Sequence, residues 1–508
     1  MKFSIYVFAL FLFGCASDEV KYAPINEDFC ADINTASPVP LSHQIAPLSE
    51  RSTTSTGVFA LEEGDVSMIY RAWLTESAEK TIDIQYFIFS ADNIGLIAAD
   101  YLLRAADRGV QVRLLVDDIM VEADADELLA IDAHPNLSIK IYNPTANIGK
   151  NLPEKLYSLS IDFQGFNQRM HNKTFIVDGN AAITGGRNIA DEYFDYDHEY
   201  NFRDRDVLLI GRGAQSIQQS FDQFWDSPLS VPVAELVEVT DSELNLIEKY
   251  EYLHQYACNP LNFWPQVREK INDMPAIFKQ IQESGELIWT DSVIFISDIP
   301  GKNDGASGLT GGGVVTDSLI SLIKNARSSV SIQSPYLVTT ELSQQLFKSA
   351  IDRGVRIQIL TNSLSSTDNL EAFSGYLRDR ETLLELGVEI YEFKPDAAIR
   401  FEIMTGALQR EIDFTPVFGL HAKSMVVDEK IAIIGTFNLD PRSANLNTEC
   451  IVVINDKSVA GNLFHAMEVD LRPENAWHTT REFNPDPEAG NLKRFKVWFR
   501  GLVPKSIL

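Results

Sequence analysis

Three stretches of this chain recur at a nearly constant distance, and that repetition limits its fold more than any other feature. Lys80-Thr81-Ile82-Asp83-Ile84-Gln85-Tyr86 is matched by Ser328-Ser329-Val330-Ser331-Ile332-Gln333-Ser334, 248 positions later. Both have the β-branched, alternating pattern of a strand. Each leads into a helical stretch ending in the same four residues, Asp107-Arg108-Gly109-Val110 and Asp352-Arg353-Gly354-Val355. The glycine suits a helix C-cap, and the next strands, Val112–Val116 and Ile357–Leu360, are apolar enough to be covered on two faces. Downstream, His171 to Asn188 aligns with His421 to Asn438 at an offset of 250, with eight of 18 positions identical. The chain is therefore expected to be a duplication: two similar α/β halves of about 190 residues, each an α/β/α sandwich with helices covering a sheet. The period is far too long for a solenoid.

The remaining segments follow from this frame. Residues 1–14 are expected as a leader and 15–55 as a linker, with the first half at 56–235 and the second at 317–480. Between them, 236–316 is a connecting region whose Gly301–Gly308 and Gly311–Gly313 stretches read as loop, open to acting as a lid or to being inert. The tail, 481–508, carries Lys493, Arg494, Lys496, Arg500 and Lys505 with Phe495, Trp498 and Phe499, and no acidic residue from 493 on. Two readings stay open for it: a segment lying in a membrane interface, or one packed on the body with a solvated basic face.

Composition narrows the class. With 45% hydrophobic and 23% charged residues the chain is neither disordered, collagen-like nor a multi-span membrane protein. Its formal charge of −29 sets it as a whole against nucleic acid, which would need a local basic channel. Four cysteines are too few for a disulfide scaffold.

The N-terminus points to export. The apolar run Phe3–Phe13 is too short to span a bilayer, which takes about 20 helical residues, and has the length of a signal peptide. It ends in Leu12-Phe13-Gly14-Cys15, which resembles a bacterial lipobox and would make Cys15 the lipidated first residue of the mature chain. Ala16, rather than Asp, follows it, as in lipoproteins sorted to the outer membrane. In an oxidising compartment Cys30 and Cys258 are candidates to pair, and Cys450, within Glu449–Ile454, is expected as a buried free thiol.

The chemistry lies in the third repeat. The first copy is His171-x-Lys173-x4-Asp178, followed after six residues by Gly185-Gly186-Arg187-Asn188. The second is His421-x-Lys423-x4-Asp428, followed by Gly435-Thr436-Phe437-Asn438. Strand geometry would point each His and its Lys the same way. The glycine would let a phosphate approach the backbone, and the Asn supplies an amide donor. With 8 histidines in 508 residues, about 0.02 chance occurrences of the His-Lys-Asp spacing are expected; two in register are a site. His43, His134, His198, His254, His465 and His478 lie outside any motif and read as structural or surface residues.

The paired motif resembles that of the phospholipase D superfamily. Within it, Arg169–Lys173, Gly185–Asn188, Thr361–Leu364, Asn438–Ser443 and Leu446–Glu449 resemble the bacterial cardiolipin synthases, those of the C type above all. The resemblance implies two halves related by a pseudo-twofold, with one shared active site and no metal or cofactor. It implies that one histidine attacks phosphorus to give a phosphohistidine while the other protonates the departing alcohol, with His171 favoured as nucleophile. Lys173, Lys423, Asn188 and Asn438 would hold the phosphate oxygens. Asp204 (with Asp206 as alternative) and Glu449 would each orient the opposite half's histidine. Asp178 and Asp428 belong to the catalytic motif and are expected to brace its loops rather than touch substrate.

These readings converge on a phosphatidyltransferase of cardiolipin synthase type, with a hydrolytic phospholipase D and, less well, a nuclease as alternatives. The expected partners are membrane phospholipids (phosphatidylglycerol, phosphatidylethanolamine or cardiolipin) and not nucleic acid. The expected location is the periplasmic face of a bacterial envelope membrane, the outer one favoured.

Overall fold

A computed structural model of the chain describes residues 39–118, 125–144, 168–237, 246–302, 310–404, 416–501 and 504–505. The leader, Cys15 and Cys30 lie outside the described residues. Cys258 is disulfide-bonded, and Cys450 is a buried free thiol.

The first half supplies β1 (Thr56–Leu61), β2 (Thr81–Tyr86), β3 (Gln111–Asp117), β4 (Leu137–Tyr142), β5 (Thr174–Val177) and β6 (Ala181–Gly185). It continues with β7 (Tyr200–Arg203), β8 (Asp206–Gly211) and β9 (Ser230–Pro232), and β10 (Ile288–Thr290) comes from the connecting region. The second half supplies β11 (Val293–Ser297), β12 (Ser329–Gln333), β13 (Arg356–Asn362), β14 (Glu389–Phe393) and β15 (Val417–Leu420). It ends with β16 (Ser424–Val427), β17 (Ile431–Gly435), β18 (Cys450–Ile454) and β19 (Ala476–Thr479). Among the described residues the two main sheets run β10-β1-β8-β6-β5-β2-β3-β4-β9 and β11-β18-β17-β16-β12-β13-β14-β19. Apart from the extra edge strand β10, the two orders are the same. β11 pairs with β18 as β1 pairs with β8, so it is the first strand of the second half. That half therefore begins inside the segment expected to be only a connection.

Local chemistry sets the repeated unit. In the first half Asp92 caps helix Asn93–Asp107 by accepting from the Gly95 N–H. In the second a Thr340/Ser343 capping box opens helix Glu341–Asp352. Each helix stops before a glycine with left-handed φ, +93° at Gly109 and +87° at Gly354, which turns the chain into the next parallel strand.

Helices cover the outer face of each sheet over its own core, around Trp73, Ile84 and Leu102 in the first half and around Ile332, Phe347 and Ile359 in the second. The inner faces share a third core. Ile176, Val207 and Leu209 pack with Val426, Ile434 and Val452, flanked by Phe221 and Phe224 from helix Arg212–Trp225 and by Leu463 from helix Lys457–Asp470. Each such side chain contributes about 1.5–3 kcal/mol on burial, so neither half could stand alone without exposing this layer. The halves also trade backbone: β7 of the first pairs in parallel with β15 of the second.

The tail forms helix Asn491–Arg500. Val497 is buried, and Lys493 Nζ donates to the Ser365 and Thr367 carbonyls at 3.0 Å. Leu492, Phe495, Trp498 and Phe499 face solvent, Trp498 at 72% exposure. The helix thus docks by one face and leaves an aromatic, basic face uncovered. No helix among the described residues is long and apolar enough to cross a membrane.

Candidate active site

Two parallel pairings between the halves create the site. The β7–β15 ribbon ends with Arg203 opposite Leu420, so the residues that follow, Asp204 and His421, emerge side by side. An isolated parallel bridge, Met170 with Thr448, does the same for His171 and Glu449. The His171 N–H donates to the Thr448 carbonyl at 3.0 Å, and the His421 N–H to the Arg203 carbonyl at 2.8 Å. Strands β5 and β16 begin only after Lys173 and Lys423, so each His is held by backbone from the opposite half, while the lysine carbonyls accept from the Thr184 hydroxyl and the Gly435 N–H of their own halves.

The side chains pair crosswise. His171 Nδ1 lies 2.9 Å from Glu449 Oε2, and His421 Nδ1 lies 2.6 Å from Asp204 Oδ2. A carboxylate at Nδ1 holds that nitrogen as the donor and leaves Nε2 as the free, nucleophilic atom. Arg205 N–H braces Asp204 and the Thr436 hydroxyl braces Glu449. Lys173 and Lys423 donate to the carbonyls of His171 and His421 at 2.8 and 2.6 Å.

Four basic side chains share one dry space, and burial drives all four toward neutrality. Burial foremost, together with the neighbouring lysines, lowers His171 to about 4 and His421 to about 3, although Glu449 and Asp204 pull the other way. Burial likewise brings Lys173 down to about 7 and Lys423 to about 8. Burial alone would raise Asp204 and Glu449, but the histidines and lysines beside them hold both carboxyls below their ordinary values. With both carboxyls ionised, a phosphodiester entering beside Lys173 and Lys423 would favour the protonated forms of the lysines and histidines.

The family described as cardiolipin synthase, PLD-like domain, matches residues 74–225 and again residues 319–470. The chain belongs to this cardiolipin synthase family. It is 34% identical to cardiolipin synthase C of Escherichia coli K12 over 421 residues, 83% of this chain and 86% of that one. An uncharacterized protein of Helicobacter pylori J99 is 31% identical over 479 residues, 94% of this chain and 91% of its own. Among solved structures, the phosphatidylserine synthase of Haemophilus influenzae superposes with a TM-score of 0.58 at 16% identity, over 92% of this chain and 100% of that one. At that identity the likeness is one of fold.

In this member of the cardiolipin synthase family the motif residues do not all converge. Asp178 and Asp428 sit at the far ends of β5 and β16, about 16 Å of extended chain from the lysines. There Asp178 accepts from the Glu79, Lys80 and Thr81 N–H groups, and Asp428 from those of Arg327, Ser328 and Ser329. They pin the start of β2 and β12 instead of joining the catalytic cluster. Asp206, the alternative partner for His421, faces away and binds Arg71 at 2.9 Å. The motif glycines make room for protein rather than for phosphate. A Cβ at position 186 would lie 2.1 Å from Asp204 Oδ1, and one at 435 would lie 2.3 Å from the Cys450 carbonyl.

The two asparagines also differ. Asn188 is occupied at both ends, accepting from the Ile88 N–H and donating to the Tyr193 hydroxyl, whereas Asn438 Oδ1 is buried with no partner. Three aromatic residues that no motif marks wall the histidines. Phe87 stands edge-on to His171 at 5.1 Å, and Tyr193 and Phe202 lie 5.1 and 4.6 Å from His421. Among the described residues one group, Asp100, His254 and Cys258, has metal-like spacing. Its cysteine is disulfide-bonded and offers no thiolate.

Proposed function

We propose that this chain is a phosphatidyltransferase of cardiolipin synthase type, acting on phospholipid phosphodiesters through a phosphohistidine. The observation that carries this reading is the crosswise pairing of two imidazoles with two buried carboxylates, with a lysine beside each. The 34% identity to cardiolipin synthase C supports the substrate class.

In the first step His171 Nε2 attacks phosphorus in line, the bond from phosphorus to the departing alcohol breaks, and His421 gives that oxygen a proton. Lys173, Lys423 and the Nδ2 amide group of Asn438 stabilise the charge on the non-bridging oxygens by donating to them. In the second step His421 takes the proton from an acceptor hydroxyl, whose oxygen attacks phosphorus as the bond to His171 breaks. With phosphatidylglycerol as donor and acceptor the products are cardiolipin and glycerol. In the empty site His421 is neutral, and it takes up the proton it later donates from solvent when the substrate's negative charge raises the imidazole again.

The substrate lies in a membrane, and the aromatic, basic face of helix Asn491–Arg500 suits an anionic lipid surface. Anchoring through Cys15 at the periplasmic face of the outer membrane rests on the lipobox pattern alone. Palmitate labelling as strong in Cys15→Ser as in wild type would remove the anchor.

The deciding experiment is purified protein in liposomes of phosphatidylglycerol and phosphatidylethanolamine, products resolved by mass spectrometry, beside a His421→Ala control. Cardiolipin that disappears in the control is the expected result. Phosphatidic acid as the sole product would mean that water is the acceptor, and the transferase reading would fail.

A further inference from the structure

The second half contains a large apolar cavity beside the site, and its first-half counterpart is filled. The second-half cavity measures about 440 Å³ and lies between helices Val314–Asn325 and Glu341–Asp352 and the sheet. The first-half space, bounded by the corresponding helices and strands, measures about 60 Å³. Ladder register identifies the equivalent residues. Ile84 opposite Phe175 corresponds to Ile332 opposite Met425, and Gly185 opposite Asp206 to Gly435 opposite Ile451.

By this register Tyr86 and Asp206 correspond to Ser334 and Ile451, and the repeat offsets of 248 and 250 set Arg71 against Leu319 and Phe194 against Ala444. In the first half, Arg71 donates to the Tyr86 hydroxyl at 3.0 Å and to Asp206 at 2.9 Å, with Phe194 stacked beneath its guanidinium at 5.6 Å. This polar plug fills the space. In the second half every member of the plug is replaced by a shorter or apolar side chain, and the space is open.

The opening adjoins the chemistry. Lys423 lines the cavity while its Nζ donates to the His421 carbonyl, and Asp440, two residues after Asn438, lines it as well. Gly311, Gly312 and the exposed Leu342 also line it. An apolar void of this size weakens a core that has no occupant for it, and far smaller apolar cavities stay dry and take up hydrocarbon. Its walls reject a headgroup, and its lysine marks the end where a phosphate belongs.

We infer that this cavity receives one fatty-acyl chain of the phospholipid whose phosphate lies at Lys173 and Lys423. The inference deepens the phosphatidyltransferase reading and rests on it for the phosphate's position. The equivalent space of the first half is plugged, so one lipid binds with its chain in this cavity while the other approaches from the opposite side of the site.

Two measurements on the full-length protein test this. Phosphatidylglycerol with a diazirine near the end of one acyl chain, in liposomes, should label peptides from helices 314–325 and 341–352 on irradiation. Labelling confined to other segments would overturn the inference. Separately, Ala444→Phe with Ile323→Phe refills the cavity without touching the histidines, lysines or their partners. Turnover of dioleoyl-phosphatidylglycerol should fall about tenfold or more relative to the dihexanoyl lipid, whereas an unchanged ratio would overturn the inference. Labelling does not require turnover. A wild type that turned over neither lipid would count against the catalytic reading, while the labelled peptides would still decide the cavity.

Discussion

The two halves share a strand order, a motif and a glycine-stopped helix, yet their interiors differ. The first spends its equivalent of the cavity on Arg71, Tyr86 and Asp206, a buried network in which each polar group has a partner. The second keeps the space apolar and open beside Lys423. The same contrast holds at the asparagines, Asn188 bonded at both ends and Asn438 with a free oxygen. A duplicated scaffold need not be symmetric in use: only the residues that face the shared site must be doubled, and the surrounding shells are free to diverge. Here the space filled by the Arg71 network in the first half stands open in the second.

The sharpest way to break this picture is at the site, where the halves should be equally indispensable. His171→Ala and His421→Ala should each lower turnover by about 10⁴-fold or more, with unchanged circular dichroism. Substantial activity in either variant would dismantle the shared-site model.

Away from the site the halves should respond unequally. Asp206→Ala strands the buried Arg71 guanidinium and should cost about 3–5 kcal/mol of stability. Ile451→Ala, at the equivalent position, enlarges a space that is already open and should cost about 2 kcal/mol. Equal losses in denaturant titrations would mean that the plug is not what distinguishes the interiors.

Smaller again is the effect of blunting the orienting acids. Asp204→Asn and Glu449→Gln keep shape but lose charge, and each should reduce turnover about 100-fold with little change in stability. A change in only one of them would show that a single histidine needs its carboxylate, and would identify the one for which orientation limits the rate.

The mildest test is pH. Lys173 and Lys423, lowered from 10.5 to about 7 and about 8, lose their protons as pH rises through that range in the empty site. An anion binds the protonated forms, so affinity for a water-soluble phosphodiester should weaken at least about tenfold between pH 7 and 9, as read by calorimetry. The histidines act on stability in the acid range. Their folded values, about 4 and about 3, lie below the ordinary 6.5, so the unfolded chain binds more protons and stability falls as pH drops below 6.5. Flat binding across pH 7–9 would mean that the lysines do not face the phosphate.

Much of this was legible in the residues themselves. The repeat announced two α/β halves, because strand alternation, helix caps and a terminating glycine are local signals that act within a few positions. The doubled His-Lys spacing marked the site, and likeness to the family pointed to Glu449 and Asp204 as partners of the opposite histidines. The tertiary structure alone decided what depends on distant chain meeting. It set Asp206 against Arg71 instead of His421, moved Asp178 and Asp428 to the strand ends, and made β11 the first strand of the second half. It also brought Phe87, Tyr193 and Phe202 against the imidazoles and left one interior open where its twin is closed. A motif records which side chains a site needs. Which neighbours surround them, and how much room remains, is set by packing between segments more than a hundred residues apart, on which spacing along the chain carries no information.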